Sequence, residues 1–580
     1  MAERRILSHR QSLLPFALAA ILVLLLPAPH FAKRQERIVD AWRPVNYNVR
    51  ITLDDRLTQI TKARTEITIE TLKDQLGVVD VDFGEMTIDA LAVDGQAAQY
   101  ERAKDRLNVH LSKPASKGRR FVITVDYHGT PKDGLVLTAD KDGKPSATGD
   151  NWPNRVHHWI PCLDHPAAKA TVSFTVTAPA RDLVVANGQL NQVRDDTGAM
   201  RTWTFVEGVP IPAYCMVIAV GEYARVLPST PSVTPLSYYV PQSDANFAMQ
   251  GFAPAVPSLK FFSETVAPYP YEKLALIVGA TRFGGMENST AIVFASNVLD
   301  LKTGSPRMSR TFNIPERLED VVAHEIAHQW FGDSVTESTW ADLWLSEGFA
   351  TYFAGLVVQK HDGEEAFRAY MKRAADAYLA YEKKTRTPIH DTETENLMAL
   401  LNENNYQKGA WVLHMLRSRL SDHAFFKGLR DYYLTHKDRT ATSDDLRAAL
   451  EKSSGSDLRQ FFTRWVYGAG HPRYELSVRS NRHSGSLHAV AVTLKQTQDG
   501  EAFLDLVTIE LTARGLKERF TIRPTGKITT TNFRTRGVVT EVVVDPDNNL
   551  LKEVTSATMA SGPGAPRRAH RDNTHSDYRR

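Results

Sequence analysis

"VVAHEIAHQWFGD", residues 321–333, places His324 and His328 four positions apart, with Glu325 beside the first. The longer stretch "PERLEDVVAHEIAHQWFG" sets Leu318, Val321, Val322, Ile326 and Trp330 at helical spacing, which predicts an amphipathic helix. Residues four apart share a helix face, so both imidazoles can reach one ion. Zinc in a catalytic site takes three protein ligands of the His/Glu type and keeps one position for water. A third ligand is therefore required. "WADLWLSEGFATYF" offers Glu347, after a gap of eighteen residues from His328, in a second helical segment that a hairpin can return to the metal. Glu325, next to a ligand but not one itself, is the candidate general base toward water on the metal. The competing reading, a helix that happens to carry two histidines, leaves Glu347 unexplained.

Upstream, from about Val45 to Tyr223, the chain runs in short alternating segments such as "YNVRITLDDR", "ARTEITIETL" and "ATVSFTVTAP", punctuated by Gly, Asp, Asn and Pro. That pattern predicts a strand-rich domain. Helical periodicity takes over near Ser258 and lasts to about Tyr467, in "YQKGAWVLHMLRSRL" and "SDDLRAALEKSS" among others. After "GAGHP" (Gly468 to Pro472) alternation returns in "RYELSVRS", "HAVAVTLKQT" and "LDLVTIELTARG", enough for a small β-sandwich.

The expected organisation is a signal peptide or signal anchor over residues 1–40, a β domain over 41–246, a catalytic domain over 247–469, a sandwich over 470–553 and a disordered basic tail over 554–580. The first segment pairs arginines with an apolar run from about Leu13 to Leu26, ahead of Pro27 and Pro29. It suits export, to the periplasm or the cell exterior. His30, Phe31 and Ala32 make a poor cleavage site, so anchoring in the membrane through the same segment is the alternative. Cys162 and Cys215, the only two cysteines, are read as a disulfide or as two buried thiols. Net charge is +3 over 580 residues, and the tail alone, with Arg567, Arg568, Arg571, Arg579 and Arg580 against Asp572 and Asp577, accounts for it. The near-neutral body lacks the basic face that nucleic-acid binding needs.

These motifs together resemble the M1 gluzincin metallopeptidases. HExxH, eighteen residues and Glu is that family's metal pattern, and "RFGGMENST" (Arg282 to Thr290) is similar to its GxMEN signature. A Tyr followed by x-Lys-Gly is matched by Tyr406, Gln407, Lys408 and Gly409, and "WIPCLDHPAAKATVSF" resembles a segment near the end of the family's N-terminal domain. The resemblance implies a multidomain α+β fold: a saddle-like N-terminal β domain, a mainly helical thermolysin-like catalytic domain and a small β-sandwich, without the large C-terminal helical domain common in the family. It implies one zinc per chain on His324, His328 and Glu347, with Glu325 as base and Tyr406 donating to the oxyanion. By the same resemblance Glu287 binds the free α-amine of a peptide, and Gly284, Gly285 and Met286 line its path. Asp150 stands where family members carry a Gln or Glu that helps hold the amine, and Ser346 replaces a common Asn before Glu347. Trp330, Trp340 and Trp344 are read as core.

The function implied is zinc-dependent removal of N-terminal residues from peptides. Two alternatives differ in class: a non-catalytic peptide-binding protein on the same scaffold, and a lipid epoxide hydrolase. The second is disfavoured because Met398 occupies the place of an Asp eight residues before the Tyr.

Overall fold

The computed structural model of the protein describes residues 33–297, 318–484 and 487–561, with short strand segments Arg307–Met308, Pro315–Glu316 and Arg567–Arg568. Residues 1–32 of the expected signal segment, and the tail beyond Ser561 apart from Arg567–Arg568, lie outside the described residues. The stretch from Arg34 onward is part of the folded body: the Arg34 amide donates to the Thr392 carbonyl at 2.7 Å, and Glu36 accepts from the Trp340 amide at 3.1 Å. The expected boundary at residue 40 is corrected accordingly.

Alternation becomes sheet in the N-terminal region. Strand Trp42–Leu53 buries Tyr47, Val49, Ile51 and Leu53 on one face and turns Arg50 to solvent. It sits inside an eight-stranded sheet, antiparallel to Ile60–Thr71 and parallel to Ala170–Pro179, with Val49 opposite Thr65 and Phe174. A four-stranded and a three-stranded sheet complete this β-rich domain. Cys162 and Cys215 are both buried free thiols in it, which settles the choice left open by the sequence.

A five-stranded sheet opens the catalytic domain, in the order Tyr223–Val226, Leu236–Pro241, Leu274–Gly279, Ala291–Ala295, Gly285–Met286. Its first two strands fall inside the 41–246 region assigned above to the β domain. Alternation cannot tell which sheet a strand joins; the pairing of Leu236 with Leu274 does, and the transition lies near Gly221. Against this sheet pack helices α1 (Ala255–Thr265), α2 (Leu318–His328), α3 (Trp344–Asp362), α4 (Glu364–Glu382) and α5 (Gly409–Leu420). Helix α3 is buried without break from Trp344 to Val358, so it runs through the core rather than over it. Helices α6 (Asp422–His436), α7 (Ser443–Ser454) and α8 (Arg459–Trp465) follow. Helix α7 begins on a reciprocal cap between Thr442 and Asp445.

The C-terminal strands form two sheets, one built around Arg473–Ser484 and one around Val507–Ala513. Their core is continuous with that of the helices, where Trp465 packs on Phe503 and donates to Asp505 at 2.8 Å. Strand Glu553–Ser561 pairs in parallel with Arg473–Ser484. Residues 554–561, expected to be disordered, are therefore strand, because a partnered backbone compensates for their small polar side chains.

Candidate active site

Helix α2 carries His324 and His328 on one face, and α3, antiparallel in the hairpin, brings Glu347 to them. Glu347 Oε2 lies 3.2 Å from His324 Nε2 and 3.3 Å from His328 Nε2, and the two Nε2 atoms are 3.0 Å apart. Ligands bound to one tetrahedral zinc at roughly 2.0–2.1 Å are about 3.3 Å from one another. The triangle of donors thus fits a single zinc with one face left open. His328 Nδ1 is 3.1 Å from the Phe331 carbonyl and 3.0 Å from Ser346 Oγ. A carbonyl only accepts, so Nδ1 carries the proton and Nε2 presents its lone pair to the cluster. Burial disfavours charge on His328, yet Glu347, Glu287 and Glu325 outweigh it and push its pKa up to about 10. The pocket favours a positive charge at this point, which a divalent cation supplies in place of the proton.

Glu325 is buried beside the ligands, with its carboxylate against the backbone of Gly285. A Cβ on Gly285 would stand 2.3 Å from Glu325 Oε1, whereas one on Gly284 would meet nothing within 4 Å. The two glycines are therefore not equivalent: Gly285 makes room for Glu325. Strand Gly285–Met286 is the sheet's edge, pairing antiparallel with Val293 and Phe294 on one side only.

Glu287 follows that edge strand, is 6% exposed, and has a carboxylate oxygen within 4.8 Å of ligating atoms of both Glu325 and His328. Burial raises its pKa to about 7; His328 opposes and Glu347 adds to the rise. The Glu287 loop is held by a residue that sequence reasoning passed over, Gln329, directly after His328. Gln329 Nε2 donates to the Glu287 carbonyl and to Asp333 Oδ2, each at 2.8 Å, and its Oε1 accepts from the Thr290 amide at 2.9 Å and Tyr269 at 3.0 Å. With four partners, it locks the Glu287 loop to the end of α2. Asn187 of the N-terminal domain adds a bond to the Ser289 carbonyl at 2.7 Å.

Asp150 is not brought to the cavity wall. It is fully buried, ion-paired with Arg155 at 3.0 Å, and accepts from Thr281 Oγ1 at 3.1 Å. Those groups satisfy its charge, so it anchors the chain that leads into Arg282–Glu287 instead of facing a substrate. The N-terminal domain reaches the cavity through Trp152, two residues on, which packs edge-on against Phe283 and Trp340. Trp330, Trp340 and Trp344 are buried and do not line the cavity, as expected of core residues.

Tyr406 lies in a π-helical turn, Asn404–Lys408, that leads into α5, and its ring stacks on His324 at 5.9 Å between centroids. Burial and the Glu347 carboxylate hold its phenol well above the ordinary tyrosine range, so it stays a proton donor at neutral pH. What places it is a contact between glycines. A Cβ on Gly348 would stand 2.8 Å from the Gly409 Cα, and one on Gly409 the same distance from the Gly348 Cα. The Gly of "EGFA" and the Gly of "YQKG" thus let α3 and the tyrosine turn approach backbone to backbone.

These groups line a cavity of about 340 Å³ that also takes in Gly284, Met286, Thr351, Tyr370, Arg373 and Gln407. Met398 is exposed and outside its lining. An edge strand followed by Glu287, beside a helix pair that presents two imidazoles and the carboxylates of Glu325 and Glu347, defines the class of site: an HExxH metal centre.

Comparison with known proteins narrows it. The model of the peptidase family M1 domain matches residues 252–465, and that of the peptidase M1 N-terminal domain matches residues 43–215. The chain belongs to peptidase family M1. It is similar to probable aminopeptidase 2 of Sulfurisphaera tokodaii, at 30% identity over 370 residues, covering 62% of this chain and 46% of that protein. It is also similar to a leucyl aminopeptidase of Saccharolobus solfataricus, at 26% identity, covering 68% and 50% respectively. Among solved structures, an M1 zinc metallopeptidase from Deinococcus radiodurans shares the fold, with a TM-score of 0.61 and 24% identity over 74% of this chain and 95% of that one. The chain spans about half the length of the curated relatives it matches.

Proposed function

We propose that the protein is a zinc-dependent aminopeptidase that removes the N-terminal residue from peptides. The observation that carries this reading is the buried Glu287 carboxylate, within 4.8 Å of Glu325 and His328 and so beside the triangle of metal-ligating atoms. A cation-seeking group in that place suits a substrate whose reacting carbonyl is one residue from a free amine. His324, His328 and Glu347 would hold the zinc, which when bound supplies Lewis acidity to a water and to the substrate carbonyl. Glu287 binds the ammonium and sets the register, so that the first peptide bond alone faces Glu325. Glu325 takes a proton from the attacking water and returns it to the leaving amine. Tyr406 donates its phenolic proton in a hydrogen bond to the oxygen on which charge develops. The free edge of Gly285–Met286 offers backbone groups to an extended peptide.

The test uses paired peptides that differ only in N-terminal acetylation, with and without chelator, on the wild type and on Glu325→Gln. Cleavage of the free-amine peptide alone, abolished by chelator and by the substitution, is the expected result. Equal cleavage of both peptides removes the role of Glu287 and indicates an endopeptidase. No cleavage of either by zinc-loaded protein contradicts the reading.

A further inference from the structure

The cavity continues past the metal-ligand cluster, away from Glu287. Its far wall consists of Asp320 and Val321, one turn before His324 on α2; Thr351, one turn beyond Glu347 on α3; and Tyr370, Arg373 and Ala377 on α4. Tyr370 is fixed there by donating to the Thr351 carbonyl at 2.8 Å. The guanidinium of Arg373 lies over the Tyr370 ring, 5.6 Å from its centroid. Among the described residues Arg373 is the only arginine or lysine lining the cavity, and no carboxylate of theirs stands within ion-pair distance of it. Asp376, its neighbour on the same wall, is paired with Lys372 at 2.8 Å.

The lining therefore carries two opposite charges, the Glu287 carboxylate beside His328 and the Arg373 guanidinium on α4, and it follows α2 from Asp320 to His328. His328 and Asp320 are eight residues apart on α2, about 12 Å at 1.5 Å per residue. An extended tripeptide spans about 10 Å at its full length of roughly 3.3–3.6 Å per residue. We propose that Arg373 binds the C-terminal carboxylate of the substrate, so that the enzyme is selective for free peptides of two or three residues. Stacking on Tyr370 restricts the arginine while leaving its planar fork available for a bidentate pair with a carboxylate. Small Ala374 and Ala377 on the same wall leave room for the chain between the two charges. The inference rests on the aminopeptidase reading above and adds the end of the substrate that this reading leaves free.

Trialanine and trialanine amide are compared as substrates of the wild type, Arg373→Ala and Arg373→Lys, with alanine 4-nitroanilide as a substrate that has an amine and no carboxylate. Amidation is expected to raise KM about tenfold in the wild type with little change in kcat, the loss of a charge-assisted pair. Arg373→Ala should treat acid and amide alike and Arg373→Lys should recover part of the preference, with the nitroanilide reporting that each protein is active. A wild type indifferent to amidation, or an Arg373→Ala protein that keeps the preference, overturns the proposal. So does recovery of the full wild-type KM by Ala-Glu-Ala amide, which would assign the arginine to an acidic side chain. If the zinc-loaded wild type leaves the nitroanilide intact, it is the aminopeptidase reading that fails, and this proposal with it.

Discussion

Two adjacent glycines, identical in composition, differ in what they permit. Gly285 has the Glu325 carboxylate where a Cβ would be; Gly284 faces open space. Gly285→Ala is expected to displace Glu325 by about an ångström and to cost about 100-fold in kcat/KM, the scale on which small misplacements of a reacting group act. Gly284→Ala should stay within a few-fold. Steady-state kinetics on an aminoacyl nitroanilide checks both, and equal effects would mean that the loop relaxes around either methyl. At this scale much was legible in the sequence: His324, His328, Glu347, Glu325, Glu287 and Tyr406 are all drawn to one cavity. Asp150 and Gln329 were not. Asp150 occupies a position that suggests substrate contact, but its charge is used by Arg155, whose approach only the folded chain reveals. Gln329 has no motif of its own, and its four partners come from residues 269–333, brought together by the sheet.

Helices meet at this site through missing side chains. Gly348 on α3 and Gly409 at the start of α5 are in backbone contact, and that contact fixes the distance between Glu347 and Tyr406. Gly409→Ala inserts a methyl group where none fits, which destabilises by about 1–3 kcal/mol. It also moves the tyrosine turn off His324. The expected outcome is a lower denaturation midpoint together with a fall in kcat at nearly constant KM; an unchanged kcat would show that Tyr406 is held by its π-helical turn alone. The sequence pattern predicted both helices. It did not predict that they touch at these two glycines, since helical periodicity describes a face and not its neighbour. The same gap explains the boundary near residue 246: Tyr223–Val226 and Leu236–Pro241 alternate like the strands before them, and their sheet is chosen by Leu274–Gly279.

Across the whole molecule, the N-terminal domain does more than flank the catalytic one. Lys169, from the "HPAAKA" segment, donates to the carbonyls of Asp333 and Ser334 at 2.6 and 2.7 Å and to Thr336 Oγ1 at 3.1 Å, just past the end of α2. Burial lowers its pKa to about 8, and the two carbonyls make that burial tolerable. Lys169→Met keeps the stem and removes the donor, stranding those carbonyls at a cost of about 2 kcal/mol or more. A lower midpoint of guanidinium unfolding is expected, with the catalytic and N-terminal regions no longer unfolding together when followed by separate probes. A midpoint equal to the wild type would show that water replaces the ammonium.

From the sequence alone came the candidate residues of the site and their order along the chain. Two histidines four apart on a helix, a carboxylate after a gap of eighteen residues, a glycine-rich loop with Glu287 and a tyrosine turn are local patterns, and local patterns follow from the geometry of single elements. Which polar groups line the cavity is set by the packing of the folded chain. Asp150 and Arg373 are equally polar in sequence; one is buried against Arg155 and the other faces the cavity. The physical reason is that a charge acts on a ligand only when its neighbours leave it unsatisfied, and those neighbours are set by packing between distant segments.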